Sequence, residues 1–93
     1  MITVKIRLYG PLKTTVGKRQ SEVELPEGAT LGQLPIALQA RYGQQLFVLL
    51  GGNQPFHQLR VLINGRDHFT LHGLETPLAE GDTITLMPPM VGG

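Results

Sequence analysis

The chain has 93 residues, 41% of them hydrophobic and 16% charged, which accommodates one compact domain around one core and no second domain. It contains no cysteine, which excludes disulfides, thiolate zinc, cysteine-ligated iron–sulfur clusters and a cysteine nucleophile. A net charge of +1, 5% aromatic residues and no Trp leave neither an electrostatic footprint nor a stacking platform, so no nucleic-acid partner is expected.

In chain order, Ile2, Val4, Ile6 and Leu8 alternate with Thr3, Lys5, Arg7 and Tyr9, the period of a half-buried strand. Gly10-Pro11 ends it. PLKTTVG follows as an irregular or one-turn helical stretch, and SEVEL then alternates Val23 and Leu25 with Glu22 and Glu24, predicting a second strand paired with the first. PEGA is turn chemistry. Beyond it, Leu31, Leu34, Leu38 and Tyr42 recur at helical spacing, with Thr30 and Gln33 in a capping-box pattern and Gly43 as the C-terminal stop. Pro35 would cost ~3 kcal/mol inside a helix, so the spacing predicts a tightened first turn with regular helix starting near Leu34.

Residues 44–57 are ambiguous: LFVLL reads as strand or buried loop, and GGNQP as loop. LRVLING predicts a third strand with Val61 and Ile63 on one face and Arg60 and Leu62 on the other. Asn64-Gly65 is a strong hairpin signal, with DHFTL as the return strand. LHGLETPLAEGD is a turn-rich connection. DTITLM closes as a final strand, with Ile84 and Leu86 facing one way and Thr83, Thr85 and Met87 the other. The regularity of the first and last strands predicts that they are central and adjacent. The whole reads as an α+β domain with a helix on one face of a mixed sheet.

Residues 1–19 carry five bases and no acid, and residues 67–93 carry four acids and no base. This is either a solvated surface whose opposite charges partly face each other or a bipolar docking face. The longest apolar run, Leu46 to Leu50, is far short of the ~20 residues of a membrane span, and the N-terminus lacks a signal-peptide pattern. No membrane partner is expected, and the cytoplasm is the default location.

Catalytic motifs fail in turn. GPLKTTVGK has the outline of a phosphate loop, but six residues instead of four separate Gly10 from Gly17, and Arg19 follows Lys18 where Ser or Thr belongs. His68 and His72 are four apart but lie in turn-like sequence with no third ligand, so they are expected at the surface and no metal is assigned. Ser21, the one serine, has no His nearby in sequence, and Glu22 and Glu24 share an outward strand face. No self-contained enzyme is expected, and function is expected in binding or in the chain's own ends.

The string ETPLAEGDTITLMPPMVGG resembles the C-terminal signature of the MoaD/ThiS family of ubiquitin-like sulfur carriers: a Thr-Pro-Leu turn, a Gly-Asp turn, a final strand, Pro-Pro and a terminal Gly-Gly. ELPEGATLGQL is similar to the family's second strand, turn and helix start, and LRVLING to its Val-Asn-Gly hairpin. Length and the GPLKTTVG segment resemble MoaD, the small subunit of molybdopterin synthase, more than the shorter ThiS. Pro35 departs from a helix usually well formed in the family, and Gly51-Gly52, Pro55 and His57 fall in its most variable region.

The resemblance implies a β-grasp fold, with a mixed sheet of four to five strands packed on one main helix. Residues 1–87 would form the domain and residues 88–93 an extended tail. Pro88 and Pro89 cannot donate to a ladder and favour extended backbone, so they should end the sheet and project the rest. Met90 and Val91 offer apolar grip, and Gly92 and Gly93 let an enzyme pocket approach the backbone closely.

By resemblance, the Gly93 carboxylate is adenylated by an ATP-using, MoeB/ThiF-like activating enzyme and converted to a thiocarboxylate. It then donates sulfur within a MoaE-like large subunit during molybdenum cofactor synthesis. The chain itself binds no cofactor, ATP being the activating enzyme's. The expected docking surface is Leu62, Thr85 and Met87 on the open sheet face, flanked by Lys5, Arg7 and Arg60. A ubiquitin-like modifier joined to proteins through Gly93, a sulfur carrier for another pathway and a passive β-grasp interaction domain are the alternatives.

Overall fold

A computed structural model describes residues 1–88; residues 89–93 lie outside it. Its elements in order are β1 (Ile2–Leu8), α1 (Pro11–Val16), β2 (Gln20–Leu25), α2 (Leu34–Tyr42), α3 (Gln44–Leu49), β3 (Arg60–Ile63), β4 (Arg66–Asp67) and β5 (Thr83–Met87). The sheet order is β2-β1-β5-β3-β4. β5 sits at the centre, parallel to β1 on one side and antiparallel to β3 on the other, and β2 is antiparallel to β1. The first and last strands are therefore central and adjacent, as their regularity predicts.

Alternation decides which face is covered. Ile2, Val4, Ile6 and Leu8 of β1, Val23 and Leu25 of β2, Val61 and Ile63 of β3, and Ile84 and Leu86 of β5 are all buried. They form one cluster with Leu31, Leu34, Leu38, Leu46 and Leu50 from the helical layer. Burying a side chain of this size contributes ~1.5–3 kcal/mol, so the cluster dominates stability. The opposite face of the sheet has no layer over it among the described residues. One helix layer held against a mixed five-stranded sheet with its first and last strands parallel is the β-grasp arrangement.

The helix layer resolves the Pro35 conflict as expected. Leu31–Gln33 is a single 3-10 turn, and α2 begins at Leu34, so Pro35 falls in the first α-helical turn where a missing N–H costs little. The Gln33 carboxamide accepts from Thr30 N–H at 2.8 Å, the returning half of the capping box. Gly43, at φ 94°, ends α2.

Three expectations are corrected. LFVLL is neither strand nor buried loop: Leu46–Leu49 belong to helix α3, which restarts directly after Gly43, and Leu50 is its C-cap, with Leu46 and Leu50 both buried. The return strand is not DHFTL but Arg66–Asp67 alone. Asp67 Oδ1 accepts from Phe69 N–H at 3.0 Å and Asp67 C=O accepts from the Thr70 hydroxyl at 2.7 Å, which winds residues 68–70 into a 3-10 turn. That turn carries His68 inward to 3% exposure, contrary to its expected surface position, while His72 stays exposed. The neighbouring apolar positions of DHFTL belong to the turn and not to a ladder. No helix among the described residues is long and apolar enough to cross a membrane.

Candidate functional site

The site is assembled around β5, which carries the chain to the tail. β5 is flanked by ladders on both sides, so its last residue, Met87, leaves from the middle of the sheet. Met87 pairs with Arg60 of β3, and Leu86 pairs with Leu8 of β1. Beyond them the Pro88 ring rests on the turn that ends β1. At Gly10 (φ 62°, ψ −138°), a Cβ would stand 3.2 Å from Pro88 Cγ. Glycine satisfies two demands there: a backbone conformation that L-residues avoid and a gap that the tail's first ring fills. Pro88 also borders a cleft of about 210 Å³ lined by Pro11, Leu12, Leu49, His57 and Leu59.

Gly10 was legible only as the end of a strand. The Gly-Pro pair carries a turn signal, but the meeting with Pro88 depends on the parallel register of β1 and β5, which local pattern does not encode. The remaining tail positions, Pro89, Met90, Val91, Gly92 and Gly93, lie outside the described residues.

The second part of the site is the open sheet face. Register places Arg7, Thr85 and Leu62 in one cross-strand row, with Leu62 opposite Thr85 and Thr85 opposite Arg7. The next row toward the tail pairs Met87 with Arg60, and the row on the other side pairs Lys5 with Thr83. Leu62, Thr85 and Met87 are half-buried, whereas Lys5, Arg7 and Arg60 are exposed. The six expected docking residues thus share one face, as a shallow apolar middle with cationic margins. Arg60 Nε lies 3.9 Å from Asp67 Oδ2, a long, partly exposed pair of small energetic weight. The bases of residues 1–19 and the acids of residues 67–93 make no ion pair with each other among the described residues. Lys5 instead stands opposite Glu22 across the β1–β2 ladder.

The end of this face away from the tail is held rigid by Asn64 and Asp82. Asn64 Nδ2 donates to Asp82 Oδ1 and Asn64 Oδ1 accepts from Thr83 N–H, each at 2.9 Å, while Asp82 Oδ2 accepts from Ala79 N–H at 2.8 Å. Asn64 and Gly65 have φ of 52° and 84°, the conformation that a two-residue hairpin of this hand requires. Asn64 therefore turns the β3–β4 hairpin and fastens it to the start of β5. The Asn-Gly pair announced the turn, but the clasp to Asp82 had no signal in local sequence.

His68 and His72 do not converge. The His68 ring lies tilted by 37° against Phe69, with centroids 4.0 Å apart, and its Nδ1 lies 3.5 Å from Asp67 Oδ1. Ser21 is buried, and its hydroxyl shares a hydrogen bond with the Tyr42 hydroxyl, which ties β2 to α2.

Comparison with known proteins agrees with this architecture. Over 90 residues the chain is 28% identical to small archaeal modifier protein 3 of Haloferax volcanii, covering 97% of this chain and 98% of that one. The solution structure of small archaeal modifier protein 1 from Methanosarcina acetivorans superposes with a TM-score of 0.79 at 27% identity, covering 100% of this chain and 98% of that one. A chain of the Amycolatopsis orientalis BexX/CysO complex superposes with a TM-score of 0.77 at 25% identity, covering 97% of this chain and 99% of that one. Residues 6–93 match the model described as the ThiS family, and the chain belongs to this family of ubiquitin-like sulfur carriers and modifiers.

Proposed function

We propose that the chain is a sulfur carrier whose working group is the Gly93 carboxylate. The observation that supports the reading is that the ThiS family match runs from residue 6 through Gly93 and so takes in the Gly-Gly pair. A carboxylate is a poor acyl donor. Its oxygen would attack the α-phosphate of ATP within a MoeB/ThiF-like activating enzyme, with pyrophosphate leaving. A sulfur nucleophile would then add to the acyl carbon and displace AMP, leaving a thiocarboxylate on Gly93. The two glycines suit this role because an enzyme can close on backbone without side chains in the way.

The destination we favour for the sulfur is molybdopterin synthesis, with a MoaE-like large subunit receiving the tail. Gly92, Pro89, Met90 and Val91 would line the passage. Leu62, Thr85 and Met87, with Lys5, Arg7 and Arg60 around them, would dock the domain. The test is intact-mass analysis after incubation with ATP, an activating enzyme and a sulfur source. The expected result is a mass gain of one oxygen-to-sulfur exchange, localised to Gly93.

The similarity to proteins named archaeal modifiers favours a second reading, in which the same activated Gly93 is joined to lysines of other proteins. Conjugates that survive denaturation would support it, and thiocarboxylate on the free protein would support the first.

A further inference from the structure

The edge strand β2 carries a feature that neither the tail nor the open sheet face explains. Leu8 N–H donates to Arg19 C=O at 2.7 Å, and the β1–β2 register continues through Ile6 opposite Ser21, Val4 opposite Val23 and Ile2 opposite Leu25. In an antiparallel ladder, residues alternate between bonding inward and bonding outward. The backbone N–H and C=O groups of Ser21, Val23 and Leu25 therefore face β1, and those of Gln20, Glu22 and Glu24 point away from the sheet. Among the described residues one side chain addresses that row: the Arg41 guanidinium of α2 donates to Glu22 C=O. Between this edge and α2 runs a cleft of about 460 Å³, lined by Glu22, Val23, Glu24, Ala37, Ala40 and Arg41. The small side chains of Ala37 and Ala40 leave it unfilled. The Ser21–Tyr42 hydrogen bond holds strand and helix at a fixed separation.

We propose that this edge is a docking site for an extended segment of a partner protein, added to the sheet as a sixth strand beside β2 and alternating basic with apolar residues. The outward groups of Gln20, Glu22 and Glu24 supply the ladder, and the side chains around them set the pattern. An added strand would place every second side chain on the open face next to the exposed carboxylates of Glu22 and Glu24. The side chains between would turn toward Ala37 and Ala40. β1 shows the same chemistry accepted on the inner edge of β2: Lys5 stands opposite Glu22, and Val4 and Ile6 fill the alternate positions.

Charge also decides against a second copy of this chain. Antiparallel pairing of two β2 edges would bring Glu22 and Glu24 against their counterparts, and like charges directly opposite are destabilising. Arg41 is the latch. It satisfies Glu22 C=O in the free protein and must yield to an N–H of the incoming strand. The Arg41 guanidinium already lies 5.4 Å from the centroid of the Tyr42 ring, a contact it can keep when it gives up Glu22 C=O.

The probe is a capped peptide alternating Val and Lys, titrated into isotope-labelled full-length protein and followed by backbone amide shifts. The expected result is saturable shifts concentrated at Gln20, Glu22, Glu24 and Arg41, with slowed hydrogen exchange at the Gln20, Glu22 and Glu24 amides. Reversing both charges, Glu22→Lys with Glu24→Lys, should weaken binding about ten-fold, since two attractive cross-strand pairs become repulsive. Removing Gly92 and Gly93 should leave the affinity unchanged. The proposal is overturned if the peptide produces no saturable shift, if the exchange rates of those three amides do not fall, or if a Val/Glu peptide binds as well. The exchange measurement uses the unaltered protein and so does not depend on the variant folding.

Discussion

At the scale of single residues, Gly10 and Asn64 do more than their local turns require. Gly10 combines a left-handed φ with contact to Pro88, so Gly10→Ala adds backbone strain and presses on the first residue of the tail. We expect a loss of about 1–3 kcal/mol in urea unfolding, and a shifted Pro88 environment by NMR. Asn64 joins a positive φ to two clasp hydrogen bonds. Asn64→Gly keeps the turn and loses the clasp, and should cost about 1 kcal/mol; Asn64→Ala loses both and should cost about 2–3 kcal/mol. Equal midpoints for the two variants would show that only one of the two roles matters.

At the scale of elements, the open face is the surface to test. Leu62 sits in the row with Thr85 and Arg7, half-buried and outside the core cluster. Leu62→Glu should keep stability within about 1 kcal/mol of the parent, because it opens no cavity in the core. It should slow adenylation by the cognate activating enzyme; a folded Leu62→Glu protein adenylated at the parent rate would remove the docking role. The phases of β1, β3 and β5 were readable because alternation assigns a face to every side chain once a strand is recognised. α3 was not readable. Five consecutive apolar residues have no period, and the choice of helix came from Gly43 and from the partners of Leu46 and Leu50 in the core. His68 was misplaced for a related reason. Turn-like sequence suggested a surface position, but the 3-10 turn that Asp67 caps carries the His68 ring inward.

At the scale of the whole molecule, chemistry and stability are expected to separate. Among the described residues the core cluster lies within residues 2–86, and β5 ends at Met87. Deleting Gly92 and Gly93 should therefore leave the urea midpoint unchanged while abolishing thiocarboxylate formation in the intact-mass assay. A truncated protein that still gained sulfur would place the reaction elsewhere. The end of the final strand was legible, because Pro88 cannot donate to a ladder and β5 stops at Met87. What local sequence could not convey was the pairing order of the strands, because the β1–β5 contact joins residues some 78 positions apart, as Lys5 and Thr83. That register brings Gly10 to Pro88, and the β3–β5 register brings Asn64 to Asp82.

The central position of β5 also has a mechanical meaning. An enzyme that grips the C-terminus and draws on it applies force along β5, parallel to its ladders with β1 and β3. The hydrogen bonds of both ladders are then loaded together in shear, and none can be peeled before the others. A terminal strand at the sheet edge would unzip one bond at a time under the same pull. The domain can therefore serve as a rigid handle, drawn up against a partner by its own end without coming apart.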